Sequence, residues 1–399
     1  MSRLEELCGM KTYGTDAAGS GGTIKTVPKD FRVIENIARL PEGNAFGLLL
    51  LKKTNITTFN AISSLANGLN ISKSRISYAG IKDKRAYAEQ YITIKNSKRD
   101  VRSVEDNNIT IEKVGNTSRP IKSSDILSNS FDITIRNIEL DVEETRTRLD
   151  NVVDAIKQGV PNFFGTQRFG SLRPVTHVVG KHLLRREYER AVVAYLTLTV
   201  QPDTTATPPP LIEPETYREA RQRLQRDNDY SQALTYFPQE LYYEQRLLKK
   251  IVEIVPSTEK GWIEVIRTLP RNLCRLFIHA YQSYLFNEAL SALLDEQKDI
   301  DNFPAKLVGY KTTLSDSGFD KKTDEMLEAD GIAPADFKFD AMQELSSTGT
   351  LRAALIQPDI AIQEIGEDKL NKDRTSARLT FQLKPGRYAT TVMREICKN

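Results

Sequence analysis

The chain has 399 residues, of which 39% are hydrophobic and 27% are charged, and such proportions are typical of a globular protein. No apolar run in the sequence is long enough to cross a bilayer, and the N-terminal segment lacks the basic-then-apolar order of a secretory signal. These features argue against a membrane protein and favour a cytoplasmic location. Because the chain exceeds one compact core of ordinary size, we expect two domains.

Charge and cysteine content narrow the function classes further. Lysine and arginine number 56 against 53 aspartate and glutamate residues, a net charge of +3 that neither requires nor excludes a nucleic-acid partner. The three cysteines are scattered without a CxxC pair, and His177 and His182 lack the usual helical spacing of shared metal ligands. We therefore expect a reducing compartment and no metal site.

The first part of the chain mixes strand and helix patterns without a regular βαβ rhythm. Alternating residues predict a strand at 23–35, begun or interrupted by its proline, and residues 45–53 are predicted to form a more buried strand. A helix is expected after an N-cap at Thr57 or Thr58, with its end at Gly68. Further strands are predicted at 75–80, 88–95, 109–115 and 130–140.

A helix with a clear N-cap at Asp141 is predicted from Val142 to about residue 158. Taken together, these elements favour an α+β domain with a largely antiparallel sheet over a doubly wound sheet. The rest of the chain is predicted as a proline-rich linker at 201–215, helices within 217–250 and 273–294, and strand-like alternation at 377–397 around a turn at Pro385 and Gly386.

The sequence GIKDKR at residues 80–85 places one acid, Asp83, among three basic residues. Most such charge runs are solvated turns. Here, however, Gly80 and the apolar residues before it carry the chain inward, and the neighbouring cations would keep Asp83 ionised in a partly buried site. A carboxylate held in this way can act as a nucleophile.

The sequence PNFFGTQRFG at residues 161–170 combines three phenylalanines with amide groups and an arginine. One interpretation is a core-packing turn. The other is a surface that stacks on and hydrogen-bonds an unstacked base. Glycine-rich phosphate loops and GxSxG and HExxH motifs do not occur in the sequence, so nucleotide-loop proteins, serine hydrolases and zinc peptidases have no support.

These two motifs, with five other segments in the same order, resemble the TruD family of tRNA pseudouridine synthases, and in particular its archaeal members. The GxKD and NxFGxQRFG patterns are the most specific parts of the resemblance. The matching segments are IKTVPKDFRVIE (24–35), LLKKTNITT (50–58), YAGIKDKRAYAEQ (78–90), LSNSFDITIR (127–136), GVPNFFGTQRFG (159–170), YQSYLFNEAL (281–290) and LKPGRYATTVMREI (383–396).

The resemblance implies a function and a domain organisation. Members of the family isomerise a uridine in tRNA, usually uridine-13 of the D-arm, to pseudouridine without a cofactor or a metal. A pseudouridine-synthase-type catalytic domain with a mostly antiparallel sheet is implied for residues 1–169 and 362–399, and an inserted α/β domain (TRUD domain) for 170–361. The expected partner is tRNA, and we expect a monomer that needs neither a protein partner nor a membrane.

The resemblance also implies site residues, by their positions in the matching motifs. Asp83 is the expected catalytic aspartate, Lys25 the cation paired with it, and Phe131 the ring that stacks on the extracted base. Substrate-binding roles are implied for Phe31, Gln90, Asn129, Asn162, Phe164 and Arg168. For each of these residues the competing interpretation is structural packing.

Two other function classes stay open at this point. One is an RNA-binding protein without activity, in which Asp83 is only a structural acid. The other is a carboxylate-dependent hydrolase of a nucleoside or glycoside. Such hydrolases generally need a second acid, whereas the 80–90 segment offers only cations next to Asp83.

Overall fold

The computed structural model describes residues 2–95, 105–106, 108–170, 172–200, 213–296, 300–316 and 318–398. The chain forms two compact units. The first, called here the sheet unit, consists of Thr15–Gly159 and Gln357–Lys398. The second, called the helical unit, consists of Met1–Gly14 and Val160–Ile356. The insert implied by the resemblance begins at residue 170. The helical unit begins earlier, at Val160, so it includes the NFFGTQRFG segment.

The helices are α1 (Arg3–Leu7), α2 (Thr58–Gly68), α3 (Val142–Ile156), α4 (Thr176–Leu184), α5 (Tyr188–Thr197), α6 (Glu215–Asp227), α7 (Tyr230–Tyr236), α8 (Tyr242–Ile254), α9 (Glu259–Ile266), α10 (Arg271–Glu296), α11 (Gly318–Ala329) and α12 (Ala389–Cys397). The strands are β1 (Phe31–Ile37), β2 (Phe46–Thr54), β3 (Ile76–Tyr78), β4 (Tyr87–Lys95), β5 (Glu105–Asp106), β6 (Ile109–Thr117), β7 (Ile126–Ile138), β8 (Val160–Pro161), β9 (Pro304–Leu307), β10 (Thr350–Ala353), β11 (Leu355–Ile356), β12 (Ala361–Glu367) and β13 (Thr375–Leu383).

The sheet unit is built on one mixed sheet. Among the described residues its strands run in the order β12-β13-β7-β1-β4-β2-β6-β5, with β3 paired to β4. β1 and β4 are parallel, and the other neighbouring pairs of this sheet are antiparallel. The predicted α+β class with a largely antiparallel sheet is therefore confirmed.

β2 and β4 lie side by side in this sheet and contribute buried side chains to one apolar cluster. Every second residue of β2, including Leu49 and Leu51, is buried, and these side chains pack with Ile92 of β4. The apolar face of α2 covers the same cluster, and Thr57 caps this helix by accepting a hydrogen bond from the Asn60 backbone. The helix predicted after Thr57 is therefore confirmed.

The strand predicted at 23–35 is wrong before Phe31: a three-residue turn at Pro28–Asp30 precedes β1, which begins only after the proline. Buried Asp30 and Asp368 both pair with Arg136 of β7, at 2.8 and 2.9 Å. Arg136 therefore links the start of β1 to the connection between β12 and β13.

The strand pattern predicted for the end of the chain is wrong after the turn at Pro385 and Gly386. β13 ends at Leu383, and α12 follows it. Val392, Met393 and Ile396 are all buried, which is the spacing of one helical face. Val392 and Met393 are adjacent, which a strict alternation does not allow, so the residues after the turn do not continue the strand pattern.

The helical unit packs most of its helices around one apolar core. α10 is buried on most of its surface, which is typical of a central helix. Two short antiparallel pairs, β9 with β10 and β8 with β11, complete the described part of this unit. Residues 201–212 of the predicted linker lie outside the described residues. In the described ranges no helix combines the length and apolar character needed to cross a membrane.

Candidate active site

The 80–85 loop connects β3 to β4 and is fixed by the first turn of α2. The Gln90 side chain on β4 donates a hydrogen bond to the Gly80 carbonyl (3.1 Å) and accepts one from the Thr58 hydroxyl (3.0 Å). The Thr58 oxygen in turn accepts a hydrogen bond from the Lys82 backbone N–H, also at 3.0 Å. Buried Gln90 therefore connects the loop, the strand and the helix.

Asp83 forms an ion pair with Lys25. The Lys25 Nζ atom lies 2.5 Å from Asp83 Oδ2, and the two side chains are 15% and 33% exposed. The backbone of Lys25 has a φ of 61°, a left-handed conformation that is uncommon for a residue with a side chain. Its ammonium group also lies 4.1 Å from the centre of the Phe31 ring. Lys25 thus contacts both the carboxylate and an aromatic neighbour.

A second lysine holds the backbone of Asp83. The Lys53 ammonium group donates hydrogen bonds to the carbonyl oxygens of Asp83 (2.6 Å) and Ile56 (2.8 Å). Lys53 is completely buried, and burial lowers its pKa to about 8, although the Asp83 carboxylate counteracts part of this shift. The main chain and the side chain of Asp83 are therefore held by different lysines.

A third lysine, Lys82, points into the protein. Its ammonium group lies 3.0 Å from a carboxylate oxygen of fully buried Glu35 and 2.5 Å from Asn129 Oδ1. Burial raises the pKa of Glu35, while the Lys82 ammonium group opposes this rise. Lys82 therefore links the loop to β1 and β7. Asn129 holds the side chain of Lys82, the residue that precedes Asp83.

Three aromatic rings lie on neighbouring strands close to this charged group. Phe131 on β7 packs edge-on against Phe31 (6.0 Å between ring centres) and stacks on Phe381 of β13 (5.5 Å). Phe31 and Phe381 are buried, whereas Phe131 is half-buried. Since Phe31 also contacts Lys25, the half-buried ring of Phe131 and the Asp83 ion pair are joined through one shared neighbour.

A cavity of about 510 Å³ opens on the sheet beside Phe131. Its lining includes Arg32, Asp132 and Thr380 as well as Phe131 and Phe381. The lining contains neither Asp83 nor Lys25.

The structure brings six of the residues named from the sequence together in the sheet unit. These are Lys25, Phe31, Asp83, Gln90, Asn129 and Phe131. Asn162, Phe164 and Arg168 lie in the helical unit. There the Asn162 Oδ1 atom accepts a hydrogen bond from Arg352 (2.6 Å), and the Phe164 backbone N–H donates to Asn287 (2.8 Å).

Sequence reasoning missed Lys53, Lys82 and Glu35 as contributors to the site. The signal for Lys53 was present, because the alternation of β2 places position 53 on the buried face with Leu49 and Leu51. A lysine at such a position needs polar partners. The pairing of Lys82 with Glu35 had no local signal, since it depends on how distant segments meet.

The arrangement suits nucleophilic or electrostatic catalysis by one carboxylate. Asp83 is partly accessible, its charge is balanced by Lys25, and a half-buried aromatic ring lies nearby. In the part of the chain that the structure describes, no group of three histidine, cysteine or acidic residues could hold a metal ion.

A solved structure matches this fold over the whole chain. The crystal structure of the TruD protein from Methanosarcina mazei superimposes with a TM-score of 0.80, at 31% identity, and the match covers 99% of this chain and 98% of the other. This chain therefore has the fold of that TruD protein.

Sequence comparisons point the same way. The family model described as tRNA pseudouridine synthase D (TruD) matches residues 7–305 and 302–396. Curated proteins named "Probable tRNA pseudouridine synthase D" from Methanococcoides burtonii and Archaeoglobus fulgidus are each 32% identical to this chain, covering 99% of it and 97% and 99% of their own lengths. The chain belongs to the TruD family of tRNA pseudouridine synthases.

Proposed function

We propose that this chain converts one uridine of tRNA, at position 13 in the D-arm, to pseudouridine, with Asp83 as the nucleophile and without a cofactor. The observation that carries the proposal is the Lys25–Asp83 ion pair in a family of tRNA pseudouridine synthases. The pair supplies an ionised carboxylate next to aromatic rings that suit a uracil base.

The reaction is an isomerisation, so its atoms balance without a second reactant. The bond between uracil N1 and the ribose C1′ breaks, and the uracil keeps the electron pair. Asp83 then forms a bond to the sugar or stabilises its positive charge while the base turns. C5 then bonds to C1′ while any bond between Asp83 and the sugar breaks and the carboxylate recovers its electron pair; the proton leaves C5, and N1 ends protonated. A pocket that excludes water protects the sugar from hydrolysis during the turn.

Each side chain has a defined part in this proposal. Lys25 orients Asp83 and balances its charge, and Lys53 fixes the main chain of Asp83. Phe131 offers its accessible face to the extracted uracil, with Phe31 and Phe381 behind it. Gln90 and Asn129 act through the loop, on Gly80 and Lys82 respectively.

The other family-implied residues enter the proposal on the resemblance alone. Asn162, Phe164 and Arg168 belong to the helical unit, where Asn162 contacts Arg352 and the Phe164 backbone contacts Asn287. The proposal for the sheet unit does not depend on them.

The test is to map pseudouridine in an unmodified tRNA transcript after incubation with the purified protein. We expect one modified uridine, in the D-arm, from the wild-type protein. Asp83→Asn should form no detectable pseudouridine while its tRNA affinity stays within about threefold, because the nucleophile is lost and the fold is kept. Glu42→Gln, at an exposed acid of the same unit, is the matched control.

Four outcomes would contradict the proposal. Modification confined to the anticodon arm or the T-arm would refute the target position. Release of free uracil would favour a hydrolase. Full activity of Asp83→Asn would show that Asp83 is not the nucleophile. If the wild-type protein binds tRNA but never isomerises uridine, a non-catalytic RNA-binding protein is favoured.

A further inference from the structure

Two large apolar side chains, one in the 80–85 loop and one in the neighbouring helix α2, are exposed to solvent. Ile81, two residues before Asp83, is 79% exposed, and Phe59, in the first turn of α2, is 63% exposed. The hydrogen bond between the Lys82 backbone and the Thr58 side chain joins the two segments, so Phe59 and Ile81 occupy neighbouring segments. Clustered exposed apolar residues indicate an interaction surface.

The surroundings of these two residues are basic. Lys84 and Arg85 of the same loop and Lys73 are exposed. The Lys73 ammonium group lies 4.9 Å from the centre of the Phe59 ring. Apart from Asp83, residues 58–60, 72–75 and 79–85 contain no acid. Cations mixed with exposed rings suit a nucleic acid, whose phosphates and bases they match.

We propose that Phe59 and Ile81, called here the apolar rim, contact the RNA bases that flank the target uridine. The Phe59 ring stacks on a neighbouring base, with the Lys73 ammonium group available for a phosphate. Ile81 occupies the space that the uridine leaves in the base stack. The inference rests on the proposed function and adds how the folded RNA is opened.

The location of Ile81 favours a role in extraction rather than in general binding. Ile81 is separated from Asp83 by one residue and is exposed, so its side chain is available to an RNA whose uridine reaches Asp83. Removing a base from a stack is unfavourable, and apolar side chains inserted at the vacated step lower this cost. Phe59 lies on a different segment, where a ring can stack on any base.

The experiment uses the full-length protein with two RNAs. One is a folded tRNA transcript, and the other is a short single-stranded RNA that contains the target uridine. Affinity is measured for both, and the single-turnover rate of pseudouridine formation is measured on the transcript. The variants are Phe59→Ala, Phe59→Trp and Ile81→Ala. Leu370→Ala, at a residue of the same unit that is 54% exposed, is the matched control.

Phe59→Ala should weaken the affinity for both RNAs about tenfold, while Phe59→Trp keeps it, because a larger ring still stacks. Ile81→Ala should slow the reaction on the folded transcript about tenfold, with less than about a twofold effect on the affinity for the single strand, which needs no unstacking. Leu370→Ala should match the wild type. Because all three side chains are exposed, thermal unfolding should remain unchanged.

If Phe59→Ala and Ile81→Ala both match Leu370→Ala, the rim does not contact RNA and the inference is wrong. An equal loss of affinity for both RNAs in Ile81→Ala would contradict its role in extraction. Failure of the proposed function looks different: the wild type would form no pseudouridine, while the effect of Phe59→Ala on RNA affinity would still decide whether the rim binds RNA.

Discussion

The ammonium group of Lys25 lies 2.5 Å from a carboxylate oxygen of Asp83, although the two residues are 58 positions apart in the chain. The contact depends on the left-handed backbone of Lys25 and on the attachment of the 80–85 loop to Gln90. Because both side chains are largely shielded, the pair is screened less than a surface ion pair.

Replacing Lys25 tests whether this cation supports the chemistry. Lys25→Met should lower the single-turnover rate about 30- to 100-fold, because the carboxylate loses its counter-ion and its fixed position. Transfer RNA affinity should stay within about threefold, and Lys25→Arg should recover part of the rate. Lys29→Met, at an exposed lysine nearby, should have little effect on the rate. A rate for Lys25→Met equal to that of Lys29→Met would contradict this role.

The buried Lys82–Glu35 pair should dominate the stability of the loop. Lys82→Met leaves the Glu35 carboxylate buried without a cation, at a cost of about 3–5 kcal/mol in unfolding free energy. The loss should be smaller at pH 5 than at pH 8, since burial raises the pKa of Glu35 and the acid can become neutral. Urea unfolding measures both values.

A double variant and a surface pair provide the controls. Glu35→Leu combined with Lys82→Met should cost less than the sum of the two single changes, because no charge remains buried. Lys52→Met breaks the exposed Lys52–Glu112 pair and should cost less than about 1 kcal/mol. Additive losses at 35 and 82 would show that the two groups do not interact.

Lys53 predicts a rise in stability at alkaline pH. Burial lowers its pKa to about 8 in the folded protein, whereas the unfolded chain keeps the ordinary value near 10.4. Between these values the unfolded state binds more protons, so the contribution of Lys53 to the unfolding free energy increases with pH, by about 1–2 kcal/mol. Urea unfolding from pH 7.5 to 10 should show this increase in the wild type and not in Lys53→Met.

Lys52→Met, at the preceding and partly exposed residue of β2, is the control for this pH series and should follow the wild type. Identical pH dependence in Lys53→Met and the wild type would mean that Lys53 does not titrate in this range.

Asp368 predicts a loss of stability in acid. Burial alone would raise its pKa, but hydrogen bonds from the Asn137 backbone and other donors, Arg136 among them, lower it to about 2. Its contribution, on the order of 2 kcal/mol, is therefore present above about pH 4 and is lost as the pH falls toward 2. Asp368→Asn should flatten the acid limb of the unfolding curve, whereas Asp373→Asn, at an exposed acid, should leave it unchanged.

Patterns of neighbouring residues predicted the strands and helix ends that depend on short-range interactions. Alternation located β4, the apolar residues at 45–53 located β2, and two N-cap candidates, Thr57 and Thr58, located the start of α2. The C-terminal α12 was mistaken for a strand because the alternation before the turn was extended past it, although Val392, Met393 and Ile396 have helical spacing. Patterns fail where a short segment has too few turns to separate 2.0 from 3.6 residues.

The site needed more than local patterns. Asp83 was a candidate because it is a lone acid among basic residues. Its pairing with Lys25 was predicted only from the resemblance to a family, since no spacing in the chain connects the two residues. The buried roles of Lys53 and Lys82 depend on strand register and on the path of the loop. Such contacts arise only when distant segments assemble, so composition and spacing cannot show them.

The position of β13 in the sheet has a consequence for biosynthesis. β13 lies between β12 and β7, and its Phe381 stacks on Phe131. A ribosome completes the helical unit before it reaches residue 375, so a nascent chain lacks this strand until translation is almost finished. Incomplete products therefore carry Asp83 without a finished aromatic wall, and only nearly full-length chains should be able to modify RNA.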